Sequence, residues 1–202
     1  MKLLALELSS SLGSIAWREA GAVRFTAEFA NDRQHSGLFF TTLQRCIAEC
    51  GRPERIAVGL GPGSYAGTRI AIAAAVGLQA ASGAELVGLP SICALPTDAV
   101  VYAVIGDARR QSFFLAQVEA RRLLEPPELM TDADLRIRLS SLAVPLFTTE
   151  PLPAFAQAQV LQPSALVLAE MAATYTPDTT TAPLEPIYLR EPHITRPKIA
   201  SL

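Results

Sequence analysis

The glycine-rich stretch from Gly59 to Arg69 constrains the fold of this chain more than any other segment. It holds four of the twelve glycines, follows the apolar run Ile56-Ala57-Val58 and precedes an alanine-rich segment that extends to Ala81. A strand, a tight turn and a helix in this order indicate an α/β fold. Glycines in such a turn either let the backbone approach a phosphate at the start of the helix or let the helix pack closely on the strand. The spacing is that of neither a Walker loop nor a dinucleotide fingerprint, so the local sequence favours close packing or partner binding over phosphate binding.

The segments around this stretch predict a first α/β layer. Three short runs with the apolar pattern of strands come first, and the period then changes to that of an amphipathic helix. The predicted strands are Leu3 to Leu8, Ser14 to Arg18, Ala22 to Phe29, Arg55 to Gly59 and Glu85 to Leu89, and the predicted helices are Gln34 to Cys50 and Thr68 to Ala81. The second helix is apolar on nearly all sides, which requires that more than one of its faces is covered.

A second series of elements begins near Val100. The predicted elements are strands Val100 to Ile105 and Ser112 to Glu119, a capping box at Thr131 to Asp134, a short strand Ala143 to Phe147 and a helix Ser164 to Tyr175. We therefore predict a first lobe over residues 1–97, a smaller second lobe over 98–185 and a C-terminal tail over 186–202. No glycine follows Gly106. Because glycine alone takes positive φ at little cost, the second lobe is not expected to supply a tight turn facing the first.

Composition narrows the function classes. The formal net charge of −2 gives no field that attracts nucleic acid unaided, and half of the 202 residues are hydrophobic. No apolar run reaches the roughly 18–20 residues of a membrane span, and the run from Leu3 to Leu8 is too short for a signal peptide. The three cysteines make no disulfide framework. These features predict a cytoplasmic protein with no membrane partner.

Hydrolytic chemistry finds little support. A catalytic zinc site needs several clustered His, Cys or carboxylate ligands, whereas His35 and His193 are the only histidines and neither lies in an H-x-x-E-H spacing. No G-x-S-x-G nucleophile elbow occurs. We expect no metal site, no catalytic residue and no metalloprotease activity.

Five motifs together resemble the TsaB (YeaZ) family. In chain order these are Leu4-Ala5-Leu6-Glu7-Leu8-Ser9-Ser10, Arg33-Gln34-His35-Ser36, Gly61-Pro62-Gly63-Ser64-Tyr65-Ala66-Gly67-Thr68-Arg69, Asp107-Ala108-Arg109-Arg110 and Pro186-Ile187-Tyr188-Leu189-Arg190. The resemblance is dense over about residues 1–120. It implies the two-lobed, actin-like ATPase fold, related to sugar kinases and ribonuclease H, with a reduced second lobe.

The resemblance also implies a function. TsaB proteins are the non-catalytic scaffold that pairs with the paralogue TsaD and, with the ATPase TsaE, supports threonylcarbamoylation of the adenosine beside the tRNA anticodon. The chain is then expected to be no enzyme, to bind no cofactor tightly although the complex uses ATP, and to meet tRNA only through the complex. Two departures from the family pattern are Glu7 in place of the usual Asp, and Tyr65-Ala66-Gly67-Thr68-Arg69 in place of Phe-Thr-Gly-Leu-Arg. Both weaken the expectation of direct nucleotide contact.

Two sets of site residues follow. The predicted partner surface lies on the two first-lobe helices and consists of His35, Phe39, Leu43, Ile47, Arg69, Ile70, Ala73, Val76, Gly77 and Ala80. A residual nucleotide or phosphate contact would use Glu7, Ser9, Ser10, Gly61, Pro62, Gly63 and Ser64. Two alternative functions stay open: an ATP-binding enzyme of the actin or sugar-kinase fold, and a homodimeric interaction protein.

Overall fold

The computed structural model describes residues 1–31, 36–175 and 184–190. Its first lobe contains β1 (Lys2–Glu7), β2 (Leu12–Glu19), β3 (Ala22–Ala30), α1 (Ser36–Cys50), β4 (Arg55–Gly59), α2 (Tyr65–Ser82) and β5 (Glu85–Leu89). The strands form one sheet in the order β3-β2-β1-β4-β5. β1 pairs antiparallel with β2 and parallel with β4. The predicted order of elements in this lobe is confirmed.

The second lobe repeats this topology in shortened form. It contains β6 (Val101–Asp107), β7 (Ser112–Glu119), β8 (Arg122–Leu123), β9 (Glu128–Thr131), α3 (Asp132–Ser140), β10 (Leu146–Thr148), β11 (Gln159–Val160) and α4 (Ala165–Thr174). β6 pairs antiparallel with β7 and parallel with β10, as β1 does with β2 and β4. Only a 3₁₀ turn, Pro153–Phe155, stands between β10 and β11. The predicted fold class, two actin-like lobes with the second reduced, is therefore confirmed.

The two faces of the first sheet carry different helices because successive strand residues point to opposite sides. Leu4, Leu6 and Leu8 pack in one cluster with α1 and α2 residues, whereas Leu3 and Ala5 pack with α4 residues on the other face. The outward sides of α1 and α2 consequently lie on the same side of the lobe.

The last helix joins the two halves of the chain. Although α4 follows β11, it packs on the first-lobe sheet, where Ser14 Oγ accepts a hydrogen bond from Ala165 N at 2.9 Å. At its other end, Arg55 donates to the carbonyls of Ala172 (2.6 Å) and Tyr175 (3.0 Å). The predicted division of the chain at residues 97 and 185 stays a prediction.

Residues 184–190 form an extended segment, called the strap below, that touches both lobes. Ile187 N donates to Leu60 O at 2.8 Å. Leu184 packs against the first-lobe core and Leu189 against a second-lobe cluster. No helix among the described residues is long and apolar enough to cross a membrane.

Candidate functional site

A cleft of about 700 Å³ lies between the lobes where equivalent turns face each other. The repeated topology explains this position, since the turn between β1 and β2 and the turn between β6 and β7 occupy matching places in the two sheets. The cleft is lined by residues 9–11, Asn31, the glycine stretch and the start of α2, residues 106–109, Thr149, Glu150 and strap residues 186–190. It brings together four of the five motifs singled out in the sequence.

The glycine stretch packs α2 against the turn that follows β1. A Cβ at Gly63 would overlap Ser9 O, and a Cβ at Gly67 would overlap Leu8 O. Ser64 N donates to Ser9 O at 2.6 Å, and the Ser64 side chain caps α2 by accepting from Gly67 N. These glycines therefore serve close approach of helix to strand, the interpretation that the local sequence favoured.

Asn31 holds the same turn from the other side. Its Nδ2 donates to Leu8 O at 2.9 Å and Ser10 O at 2.7 Å, and its backbone N–H donates to Ser11 O at 2.8 Å. The turn of residues 8–11 is thus fixed by three carbonyl contacts. Asn31 carries no signal of this role in the sequence, because a polar residue after a strand is a common pattern with many roles.

Glu7 is fully buried at the end of β1, and its carboxyl group occupies the space that a side chain at position 59 would fill. A Cβ at Gly59 would overlap Glu7 Oε2 and lie 2.6 Å from Ser91 Oγ. Ser9 N donates to Glu7 Oε1 at 2.7 Å, while Oε2 finds no hydrogen-bond partner among the described residues. Burial raises the pKa of Glu7, and the hydrogen bond from the backbone amide of Ser9 only partly opposes this shift. The carboxyl group is thereby favoured in its neutral form.

This arrangement does not fit a metal-bound nucleotide phosphate. Glu7 is fully buried and is not among the residues that line the cleft, and one of its oxygens already accepts a hydrogen bond from the amide of Ser9. Ser9 Oγ is buried and without a partner among the described residues, so one polar atom at the cleft floor stays open to a ligand.

The facing turn of the second lobe corrects one prediction. Arg109, Arg110 and Gln111 have φ of +63°, +54° and +59°, although none is glycine. The expectation that this lobe lacks a positive-φ turn was wrong, because an αL residue other than glycine costs only about 1–2 kcal/mol when the surroundings hold it. Here Asp107 Oδ1 accepts from Arg109 N at 2.7 Å, and Arg109 Nη1 lies 3.1 Å from Asp107 Oδ2.

Comparisons with known proteins give one family match and several structural matches. Residues 28–126 match the model of the family described as TsaD, tRNA N6-adenosine threonylcarbamoyltransferase. A structure from Pseudomonas aeruginosa, described as similar to the peptidase YeaZ, aligns with TM-score 0.71 and 23% identity over 94% of this chain and 99% of that one. YeaZ from Pseudomonas aeruginosa aligns with TM-score 0.65 and 23% identity over 85% of this chain and 90% of that one. The predicted resemblance is confirmed in the fold, which is that of the YeaZ structures, and in the match to the TsaD family model. A search of curated protein sequences finds no match.

The predicted partner surface on α1 is only partly exposed. Phe39 and Leu43 are 1% and 7% exposed and lie in the first-lobe core, so they cannot contact a partner directly. The apolar side chains that α1 presents outward are Leu38 and Phe40, next to Phe39 in the chain and about half exposed. Ile47 is partly buried, and His35 lies outside the described residues.

On α2 the predicted surface is open. Its inward residues are Gly67, Thr68, Ala71 and Ala75, whereas the predicted partner residues Arg69, Ala73, Val76, Gly77 and Ala80 are exposed and Ile70 is partly buried. No charged residue occurs from Ile70 to Ser82. The outward face of α2 is consequently apolar and built from small side chains.

Two adjacent arginines, Arg121 and Arg122, have different roles in the structure. Arg121 donates to the carbonyls of Leu95, Thr97 (2.9 Å) and Cys93 (3.4 Å), which lie in the connection between the lobes. Arg122 is exposed. Adjacent arginines in a sequence carry no signal that distinguishes these two roles.

The described part of the chain contains no candidate metal site for hydrolysis. No group of three or more His, Cys, Asp or Glu side chains there is arranged to hold a metal ion.

Proposed function

We propose that this chain is the non-catalytic partner of a TsaD-type paralogue in the threonylcarbamoylation of the adenosine next to the anticodon of tRNA. The partner would dock on the outward face of α2, beside α1. A TsaE-type ATPase and its ATP would complete the assembly, as the family resemblance implies. The family match at residues 28–126 and the YeaZ-like fold support a place in the TsaD-containing machinery.

The apolar outward face of α2 is the observation that carries the proposal. Monomeric proteins rarely expose a large contiguous apolar patch, and such patches mark surfaces that another molecule covers. Val76 is 47% exposed, and Ala73, Gly77 and Ala80 surround it with small side chains that permit close approach of a second helix. At about 25 cal/mol per Å², a standard interface of roughly 1,600 Å² has ample gross driving force before association costs.

Gly77 gives separate support for a partner on the outward face of α2. No described atom lies within 4 Å of a Cβ added at this position, so the fold of the chain itself gives no reason for a glycine. Glycine inside an exposed helix costs about 1 kcal/mol relative to alanine. A partner that approaches the helix backbone at Gly77 would explain the residue.

The non-catalytic role is supported by the first-lobe turn. Glu7 is fully buried outside the cleft lining, and its carboxyl group accepts a hydrogen bond from the Ser9 amide. This carboxyl group is therefore not placed to hold a metal-bound phosphate in the cleft. An ATP-binding enzyme of the same fold is the alternative that these contacts disfavour.

The test compares Gly77→Leu with Gly77→Ala. Leucine at an open helix position is tolerated by the isolated chain but projects into the partner, so we expect affinity for the TsaD-type partner to fall at least about tenfold by isothermal titration, as Ala73→Arg should also cause. Gly77→Ala is the matched control and should stay closer to wild type. In cells that depend on this gene, Gly77→Leu should lower threonylcarbamoyladenosine in bulk tRNA. A Gly77→Leu protein that binds the partner normally and restores modification would refute the docking face.

A further inference from the structure

Two tyrosines that are far apart in the sequence meet at the mouth of the cleft. Tyr65 begins α2 and Tyr188 lies on the strap, and their ring centroids are 5.8 Å apart at an interplanar angle of 40°. Both line the cleft, and they are 54% and 41% exposed. The guanidinium of Arg69 lies 5.0 Å from the centroid of the Tyr65 ring. The pair therefore offers aromatic surface to the solvent beside a cation.

Contacts on both sides of Tyr188 hold it in place. Ile187, its neighbour, donates its N–H to Leu60 O at 2.8 Å, and Leu189 packs against a second-lobe cluster. Four residues earlier, Leu184 lies against Gly88 and Leu60. An aromatic ring whose backbone is already fixed loses little entropy when a ligand stacks on it.

Arginine side chains lie beside the two rings. Arg69 contacts the Tyr65 ring, and Arg109 and Arg190 line the cleft and are exposed. The carboxylates that line the cleft are those of Asp107, which pairs with Arg109 at 3.1 Å, and Glu150. Exposed aromatic rings interleaved with arginines are the surface that single-stranded nucleic acids use, with bases on the rings and phosphates on the cations.

We propose that this mouth, formed by Tyr65, Tyr188, Arg109 and Arg190, binds nucleotides of a single-stranded RNA segment. A base stacks on Tyr188 and the adjoining phosphates lie against the arginines. Paired RNA does not expose its base faces, so the occupant is a loop or an end. The proposal rests on the proposed function, which brings the chain to a tRNA together with its partner, and it adds a direct RNA contact from this chain.

The experiment measures binding of a fluorescein-labelled tRNA to the complex of this chain with its TsaD-type partner. Tyr188→Leu removes the ring face but keeps an apolar side chain, and we expect affinity to fall about fivefold to a hundredfold, the loss that one stacked base gives. Tyr188→Phe keeps the ring and should bind within about twofold of wild type. Arg190→Gln should make the dependence of log K on log salt shallower by about 0.7, the slope of one phosphate contact on a single strand.

The outcomes separate this inference from the proposed function. Unchanged tRNA affinity in Tyr188→Leu overturns the RNA site while leaving the partner role intact. Loss of partner binding in Tyr188→Leu also overturns it, because the tyrosine pair would then belong to the protein interface. If the wild-type chain does not assemble with a TsaD-type partner, the proposed function fails, and the same titration on the chain alone then decides the RNA site.

Discussion

Gly59→Ala is the substitution whose effect the structure specifies most closely. The backbone at this position does not require glycine, since its φ is not in the left-handed region, so only space is tested. An added Cβ would overlap Glu7 Oε2, with Glu7 Cδ at 2.7 Å and Ser91 Oγ at 2.6 Å. Overpacking of a core costs about 1–3 kcal/mol, and displacing the carboxyl also breaks its bond from Ser9 N, worth about 1 kcal/mol. We expect a loss of about 2–4 kcal/mol in the free energy of unfolding.

Urea unfolding at constant m-value measures this loss. Gly77→Ala is the matched control, because the same substitution in open space should stabilise the isolated chain by about 0.5–1 kcal/mol. In a double-mutant cycle, Glu7→Ala removes the atoms that the new Cβ meets. It should therefore recover most of the cost of Gly59→Ala, with a coupling of about 2 kcal/mol. A Gly59→Ala protein as stable as wild type, or a cycle without coupling, would show that Glu7 does not occupy the space over Gly59.

Two further predictions concern ionisable side chains that are buried or half-buried. Burial raises the pKa of Glu7 in the folded chain, so folding takes up a proton and the free energy of unfolding falls as pH rises above the ordinary glutamate pKa. Glu7→Gln should remove this fall. The urea midpoints measured at pH 5 and pH 8 should therefore differ less in Glu7→Gln than in wild type. A midpoint of wild type that does not drop over this range would contradict it. Arg121→Gln should cost about 2 kcal/mol because charge-assisted bonds to three carbonyls are lost, whereas Arg122→Gln, an exposed neighbour, should change the unfolding free energy by less than about 0.5 kcal/mol. Equal effects of the two arginine substitutions would refute the assigned roles.

Local pattern was enough to predict most elements of the first lobe. Strand alternation and helical spacing depend on which side of an element is buried, and that requirement is written into neighbouring residues. β5, for example, runs from Glu85 to Leu89 as predicted, and Thr131 accepts from Asp134 N at the start of α3 as the capping box indicated. The two-residue strands β8 and β11 were missed, because segments that short hold no period.

For the two first-lobe helices, the sequence pattern did not predict which face is exposed. On α1, the apolar stripe that includes Phe39 and Leu43 is the face that the helix buries in its own core, so the same periodicity cannot also mark a partner surface. On α2, apolar residues occur on all sides, and period alone cannot choose an inward face. Packing on the sheet turned Ala71 and Ala75 inward and left Ala73 and Gly77 outside.

The sequence alone determined the order of the first-lobe elements and the glycine stretch as a close-packed turn, because these depend on contacts between near neighbours and on the size of single residues. The actin-like fold was implied by the resemblance of the motifs to a known family. Only the tertiary structure decided which groups meet across the chain. It set Glu7 over Gly59, Arg121 against the connection between the lobes, and Tyr65 beside Tyr188. Such contacts join residues tens to more than a hundred positions apart, and they arise from the pairing of strands and lobes rather than from any local preference.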